Sequence, residues 1–351
     1  MSAAPGRSQA SSHRSPQGEA PVSAALLDVE NLCTSFFTED GEVRSVDGVS
    51  LRLERGEVLG LVGESGSGKS VMGLSLMGLI DSPGKIVAGS IRLDGEELVG
   101  APEHAMRRLR GPRLGMIFQD PLMSLNPVLR IETTLIETLM AHEFIDSATA
   151  HRRALAALTD VGIPSPAQRM RGYPHEMSGG MRQRIAIAAA LLPGPQLLIA
   201  DEPTTALDVT IQSQILHLLQ NLVAARGLAL IMISHDLSVV ASLADRVAVM
   251  YAGRIVESGP VQQILSRPAH PYTRGLIHSA PVMSEPGTPL PQIRGAPPSP
   301  LGRPAGCAFA PRCDRASSSC MSMPALTDLH IGHAVRCWHP HLEARLPGVA
   351  A

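Results

Sequence analysis

A glycine-rich segment, GESGSGKS, most constrains how this chain can fold. It satisfies the pattern G-x-x-x-x-G-K-[ST] and stands between an apolar run at 58–62 and the helical sequence VMGLSLMGLI. Glycines let backbone N–H groups surround a phosphate chain, and the following helix adds the positive end of its dipole. The pattern predicts a strand, a phosphate-binding loop and a helix. The loop residues are Gly63, Glu64, Ser65, Gly66, Ser67, Gly68, Lys69 and Ser70.

Two adjacent carboxylates end a second apolar run, LLIADEP. At a strand end, Asp201 is placed to hold Mg²⁺ through water, and Glu202 to orient or polarise the attacking water. In the glycine-rich loop, Lys69 is expected to reach the β and γ phosphates, and the Ser70 hydroxyl to join the Mg²⁺ shell. The alternative is that Asp201 and Glu202 belong to an ordinary acidic turn. The presence of a phosphate loop in the same chain makes this alternative less favoured.

Length, charge and hydrophobicity limit the classes of protein to which this chain can belong. The length of 351 residues suits one large domain with appendages. A formal net charge of −2 provides no basic field, so no nucleic-acid partner is expected. No apolar run reaches the ~18–20 residues that span a bilayer. The first 24 residues lack the apolar block of a secretory signal and predict a disordered tail on a cytosolic protein.

Continuous apolar runs predict buried strands. Such runs are typical of strands covered on both faces, and so of a parallel sheet with helices on each side. The alternation of apolar and polar residues at 46–58 instead predicts an antiparallel strand. The continuous runs lie at 58–63, 196–203 and 228–235.

Changes in pattern along the chain predict its division into domains. Residues 1–24 form the tail, and 25–260 the main domain, with a helical subdomain at about 120–175. Beyond residue 260 proline becomes frequent, and cysteines appear. We therefore predict a C-terminal extension at 261–345 that includes a Pro-rich linker at roughly 281–304.

The sequence MSGGMRQR suggests a second anion-binding site. Ser178, Gly179 and Gly180 precede a helical run, IAIAAALL, so their hydroxyl and amide groups can hold a phosphate. Because one phosphate loop is already present, a second site suggests a nucleotide shared with another subunit. The simpler alternative is an ordinary helix N-cap.

Taken in order, these motifs resemble the nucleotide-binding subunits of ATP-binding cassette (ABC) transporters. The resemblance covers residues 63 to 235 and implies an α/β fold, the P-loop NTPase ABC cassette. That fold has a RecA-like parallel sheet core, an antiparallel β subdomain and a helical subdomain, here with a small cysteine-containing C-terminal extension. The motifs are GESGSGKS as Walker A, MIFQDP with Gln119 as the Q-loop, MSGGMRQR as the signature, LLIADEP as Walker B, ALD with Asp208 as the D-loop and ISHD with His235 as the switch histidine.

The resemblance also implies roles for single residues. In that family two cassettes dimerise head to tail, with ATP between the Walker A loop of one and the signature of the other. Glu202 is then the catalytic base, His235 contacts the γ-phosphate, and Gln119 senses the γ-phosphate and Mg²⁺. Asp208 helps to couple the two ATP sites. The implied Mg²⁺ ligands are Ser70, Gln119 and Asp201.

Two positions are less regular. Met181 stands where the family pattern most often has Gln, and little effect is expected because the adjoining Ser and Gly residues are unchanged. Phe36 or Phe37 is the candidate to stack on adenine, with a buried hydrophobic role as the alternative.

The segments FQDPLMSLNP and RPAHPYTRGLIHSAP, at 118–127 and 267–281, resemble those of peptide and nickel importer ATPases. This implies ATP hydrolysis that powers uptake of dipeptides or oligopeptides at the cytoplasmic face of the inner membrane. The implied partners are a second, different ABC ATPase, two membrane permease subunits and a substrate-binding protein. A nickel, glutathione or antimicrobial-peptide transporter is an alternative, and a soluble ABC ATPase not tied to transport is an alternative of another class.

Four of the five cysteines are grouped near the C-terminus with the spacing C-x5-C-x6-C-x16-C. A cytosolic location argues against disulfides, and zinc sites usually have closer pairs. The resemblance implies a structural or regulatory [4Fe–4S] cluster, and zinc or four unmetallated thiols remain alternatives. The grouped cysteines are Cys307, Cys313, Cys320 and Cys337. The nearby histidines that can replace a thiolate are His330, His333 and His339.

Overall fold

The computed structural model describes residues 25–205, 207–279, 292–330 and 332–342. The predicted tail at 1–24 and residues 281–291 of the predicted linker lie outside the described residues. So do Ala206 of the predicted D-loop and residues 343–345 of the predicted extension.

The described residues form twelve strands and ten α-helices. In chain order the strands are β1 (Leu27–Thr38), β2 (Gly41–Leu53), β3 (Val58–Val62), β4 (Gly84–Leu93), β5 (Glu96–Glu97), β6 (Leu114–Ile117), β7 (Leu197–Asp201), β8 (Ala229–Ser234), β9 (Arg246–Tyr251), β10 (Arg254–Pro260), β11 (Thr327–His330) and β12 (His333–Val335). The helices are α1 (Lys69–Met77), α2 (Glu103–Leu109), α3 (Ile131–Met140), α4 (Ser147–Asp160), α5 (Pro166–Arg169), α6 (Gly179–Leu191), α7 (Val209–Arg226), α8 (Leu237–Ala241), α9 (Val261–Ser266) and α10 (Pro271–His278). None of these helices is long and apolar enough to cross a membrane.

The larger sheet carries the parallel core. Its order over the described residues is β11-β12-β10-β9-β3-β8-β7-β6, and the five strands from β9 to β6 run parallel. Every residue of β3, β7 and β8 is buried, as expected for strands covered by helices on both faces. The predicted parallel sheet is therefore confirmed.

Parallel strands bring the predicted site residues to one edge of this sheet. The phosphate loop follows β3, Asp201 ends β7, and His235 follows β8. Gln119 comes two residues after β6. The carboxyl ends of neighbouring parallel strands in open α/β sheets are where ligands bind.

The smaller sheet is antiparallel, with the order β2-β1-β4-β5. Its apolar face shares a core with α1 and with one face of the larger sheet. Thr34 on β1 and Ser75 on α1 share a buried hydrogen bond of 2.8 Å, which fixes this sheet against the helix that follows the phosphate loop. The strand predicted from the alternation at 46–58 is confirmed as the second half of β2.

Helices dominate between β6 and β7, where the helical subdomain is predicted. Leu135 and Leu139 lie one turn apart on α3, and Ala154 and Leu158 on α4, and all four are buried. Asp146 caps α4 by accepting a 2.8 Å hydrogen bond from the Thr149 backbone N–H.

The C-terminal extension is joined to the larger sheet rather than standing apart. Strand β12 pairs antiparallel with β10, so that Glu257 lies opposite Val335. The buried carboxylate of Glu257 accepts hydrogen bonds from the backbone N–H groups of Ala269 (2.7 Å) and His270 (2.9 Å). The same carboxylate lies 2.8 Å from Nε2 of His333 on β12. Glu257 thus links β10, the start of α10 and β12.

Replacing Glu257 with Ala is expected to lower the free energy of unfolding by roughly 3–5 kcal/mol, because it leaves buried donors without an acceptor. Urea unfolding followed by circular dichroism measures the change. The control is Glu137→Ala on the exposed face of α3, which should stay within about 0.5 kcal/mol of the parent chain. A Glu257→Ala variant as stable as this control would contradict the linking role.

Candidate nucleotide site

Close backbone contacts explain the glycines of the phosphate loop. Gly63 and Gly68 have positive φ angles of 157° and 100°. A Cβ atom at Gly63 would lie 2.1 Å from the Met250 carbonyl oxygen, and one at Gly68 would lie 2.2 Å from the Ser45 carbonyl oxygen. Any larger residue would therefore displace the loop from the adjoining backbone.

Lys69 is buried in the loop, with 5% of its surface exposed. Its Nζ donates hydrogen bonds to the carbonyl oxygens of Gly63 (2.8 Å) and Glu64 (3.0 Å). Burial lowers the pKa of Lys69, and the carboxylates of Glu202 and Asp201 oppose this change. A buried ammonium whose contacts are neutral oxygens is a strong site for an anion.

Asp201 lies beside the start of α1. The Ser70 hydroxyl donates a 3.1 Å hydrogen bond to its carboxylate. Burial raises the pKa of Asp201, while the bond from Ser70 lowers it. A hydroxyl and a carboxylate are the oxygen ligands that Mg²⁺ prefers, so this pair fits the predicted metal.

Gln119, Glu202 and His235 converge from three separate loops. Gln119 Nε2 donates to the Glu202 carboxylate at 3.1 Å, and the Thr205 hydroxyl donates to it at 2.8 Å. His235 Nδ1 lies 3.3 Å from the other carboxylate oxygen. Glu202 has a left-handed backbone with φ 45°, which costs roughly 1–3 kcal/mol and is held by this network.

These residues open into one cavity of about 550 Å³. A volume of this size is typical of small-molecule and cofactor sites. The cavity is lined by residues of the phosphate loop, by residues of the loops that follow β7 and β8, and by two residues of the predicted Pro-rich linker. The lining residues are Val43, Ser45, Ser65, Gly66, Gly68, Lys69, Ser70, Val71, Gln119, Glu202, His235, Pro300 and Arg303.

The two aromatic candidates for adenine stacking do not line this cavity. Phe36 packs against Gly84, and Phe37 lies under the Lys85 ammonium, which is 4.7 Å from the ring centroid. Sequence reasoning missed Pro300 and Arg303, because the Pro-rich segment indicated only a linker. One guanidinium nitrogen of Arg303, Nη1, is buried and has no hydrogen-bond partner among the described residues.

The signature segment lies outside the cavity. Ser178 caps α6 by accepting from the Met181 backbone N–H at 3.3 Å, and Asp208 caps α7 by accepting from Ile211 N–H at 2.9 Å. The two turns are neighbours, because a Cβ at Gly180 would lie 2.9 Å from the Ile211 side chain. Ser178, Gly179, Gly180 and Asp208 therefore form a second surface, which does not contact the phosphate loop cavity in the described chain.

The four C-terminal cysteines line another cavity, together with His270, Phe309 and His339. All four are free thiols, and none of them forms a disulfide. Burial raises the pKa of Cys337 to about 11. No group of three or more His, Cys, Asp or Glu side chains in the described ranges is arranged to hold a metal ion. The predicted [4Fe–4S] cluster therefore lacks a formed ligand set.

Comparison with known proteins identifies the family. Residues 46–205 match the ABC transporter family model, and residues 256–320 match that of the oligopeptide/dipeptide transporter C-terminal region. The oligopeptide transport ATP-binding protein OppD of Escherichia coli is 47% identical over 316 residues, which cover 90% of this chain and 94% of OppD. This chain belongs to the ATP-binding subunits of ABC-type peptide importers.

A second relative supports the family, and solved structures support the fold. The oligopeptide transport ATP-binding protein AppD of Bacillus subtilis is 46% identical, over 90% of this chain and 97% of AppD. The dimeric ABC transporter cassette MJ0796 superposes with a TM-score of 0.61 at 24% identity, over 67% of this chain and 98% of that one. Clostridium perfringens cbiO1, part of an ABC transporter complex, superposes with a TM-score of 0.59 at 28% identity, over 68% of this chain and 90% of cbiO1. The P-loop NTPase ABC cassette predicted from the sequence is confirmed.

Proposed function

We propose that this chain hydrolyses ATP to power the uptake of dipeptides or oligopeptides through separate membrane subunits. The observation that carries the proposal is the convergence of Gln119, Glu202 and His235 beside the buried Lys69 in one cavity. The substrate class rests on the similarity to OppD and AppD, which spans the cassette and the C-terminal extension.

For nucleotide binding, the Lys69 ammonium holds the β and γ phosphates in place of its present carbonyl contacts. The loop N–H groups and the α1 N-terminus add donors to the same oxygens. Mg²⁺ supplies charge neutralisation between the phosphates when bound. Ser70 and Asp201 are its proposed protein ligands, with Gln119 within reach of the same region.

For hydrolysis, Glu202 is the proposed general base. A water in line with the bond from the γ-phosphorus to the bridging oxygen gives its proton to the Glu202 carboxylate as its own oxygen bonds to that phosphorus. The bond to the bridging oxygen breaks, ADP leaves with its electron pair, and inorganic phosphate is the second product. Gln119 and Thr205 orient that carboxylate through the bonds described above, and the exposed ring of His235 is placed to contact the γ-phosphate.

A second cassette completes the site in this proposal. Ser178, Gly179 and Gly180 start α6 on a surface away from the cavity, where they are available to a nucleotide held by another subunit. Asp208 lies beside them and is placed to couple the two sites. We propose that the partner is a different ATPase chain.

The helical region offers a surface for the membrane permeases. Several large apolar side chains between residues 122 and 144 are exposed, including Met123 (72% exposed) and Val128 (75%). Exposed apolar groups of this kind mark protein contacts. We propose that this surface docks on the two permease subunits at the cytoplasmic face of the inner membrane, and that a substrate-binding protein delivers the peptide to them. The exposed apolar residues of this surface are Leu122, Met123, Val128, Met140 and Phe144.

The cysteines are the proposed ligands of a [4Fe–4S] cluster. Support comes from the convergence of all four thiols on one cavity and from the absence of disulfides among them. Cluster binding requires the thiols to lose their protons, which burial opposes by raising the pKa of Cys307, Cys313 and Cys337.

Glu202→Gln is expected to lower the ATPase rate by roughly 10²–10⁴-fold while ATP binding is retained, because the amide cannot accept the proton. Phosphate release and binding of a fluorescent ATP analogue measure the two effects. Lys69→Ala is the comparison and should lose binding as well. Full-rate hydrolysis by Glu202→Gln would remove Glu202 from this role.

Peptide transport is tested in a host auxotrophic for one amino acid, with its own copy of this chain replaced by Lys69→Ala. Growth on the free amino acid should be normal, and growth on a tripeptide that contains it should be lost. Nickel uptake by the same strain should be unchanged. Loss of nickel uptake alone would favour a nickel transporter, and no defect at all would favour an ATPase not tied to transport.

The cluster is tested by purification without oxygen. We expect broad visible absorption, loss of that absorption on exposure to air, and loss of the bound iron in Cys313→Ser. A colourless protein that contains zinc, or no metal, would contradict the cluster.

A further inference from the structure

One side chain of the C-terminal extension reaches the phosphate loop. The guanidinium of Arg312 forms two hydrogen bonds with the Glu64 carboxylate, at 2.7 Å and 3.1 Å. Only 5% of the Arg312 side chain is exposed, and 25% of the Glu64 side chain. Two-point pairing of this kind fixes orientation as well as distance.

Arg312 is itself held rigidly. Its Nε donates to the carbonyl oxygen of Arg294 at 2.9 Å, and one terminal nitrogen lies 3.3 Å from the Tyr251 hydroxyl. The guanidinium also lies 5.9 Å from the ring centroid of Tyr251 and 5.8 Å from that of Phe309. These contacts fix the position of the charge that Glu64 meets.

Glu64 connects Arg312 to Lys69. The Glu64 carbonyl oxygen accepts a hydrogen bond from Lys69 Nζ, and its backbone N–H donates to the Tyr272 hydroxyl at 2.7 Å. Arg312 and Tyr272 therefore hold Glu64 from two sides, one through the carboxylate and one through the backbone. Both lie beyond residue 260, on the C-terminal side of the core sheet's last parallel strand.

We propose that Arg312 is a positioning residue for ATP binding, which holds the phosphate loop in its binding conformation through Glu64. The inference rests on the proposed ATP site and adds that the C-terminal extension is a working part of it. Arg312 contacts neither Glu202 nor His235, so its loss should weaken binding of the nucleotide more than it slows hydrolysis of bound ATP.

Arg312→Ala is expected to raise the KM and Kd for ATP about ten-fold or more, with kcat within about two-fold of the parent chain. Arg312→Lys should recover part of the affinity, because it keeps the charge but not the two-point geometry. Glu64→Gln should weaken ATP binding in the same direction. The double variant Arg312→Ala with Glu64→Gln should be no weaker than the more affected single variant, because both remove one interaction.

Arg274→Ala on α10 is the control, because it removes a charge from the extension without contact to the loop; it should leave Kd unchanged. The Kd assay needs no hydrolysis, so it tests this inference even if the parent chain fails to hydrolyse ATP. An Arg312→Ala protein that binds ATP normally would overturn the inference. Additive losses in the double variant would also overturn it. If Arg312→Ala fails to fold, the Kd values of Arg312→Lys and Glu64→Gln test the inference instead. Normal ATP binding by both of these variants would overturn it.

Discussion

The buried ammonium of Lys69 organises the nucleotide site. It lies on the carbonyl oxygens of Gly63 and Glu64, inside a loop whose backbone is pressed against Ser45 and Met250. For Lys69 to lie in this position, the loop must follow a strand and precede a helix, and carboxylates must come from the ends of neighbouring strands. The larger sheet meets these requirements by aligning the carboxyl ends of β3, β7 and β8. The remaining site residues need only follow those strand ends.

Much of this arrangement could be predicted from local sequence. The loop pattern specifies its own strand and helix, and continuous apolar runs specify buried parallel strands. Once the strands are parallel, Asp201 and His235 must meet at the same edge. Gln119 was found only through the resemblance to ABC cassettes, because a lone glutamine after a short strand carries no physical signal. Ser178 was a candidate for anion binding on local sequence, but the resemblance was needed to favour that role over an ordinary helix cap.

The C-terminal extension was less predictable, because its contacts depend on residues far apart in the sequence. Nothing in the sequence around Arg312 indicates that its partner is Glu64, 248 positions away. The pairing of β12 with β10 and the burial of Glu257 are likewise non-local. The resemblance to importer ATPases implied a [4Fe–4S] cluster, whereas no group of three or more His, Cys, Asp or Glu side chains among the described residues is arranged to hold a metal ion. Spacing alone does not fix the distance between side chains that meet across several turns.

Contacts from the extension and from the cassette thus meet at one loop, through Arg312 and Tyr272 on Glu64. ATP hydrolysed at this loop is expected to move peptide across a membrane. The most direct measurement is accumulation of a labelled tripeptide in vesicles that contain this chain with its partner ATPase, permeases and binding protein. Accumulation is expected only when ATP is present on the side of the ATPases, and the rate of phosphate release should rise when peptide is added. Accumulation of the tripeptide without ATP, or a rate of phosphate release that does not change when peptide is added, would contradict ATP-driven peptide transport.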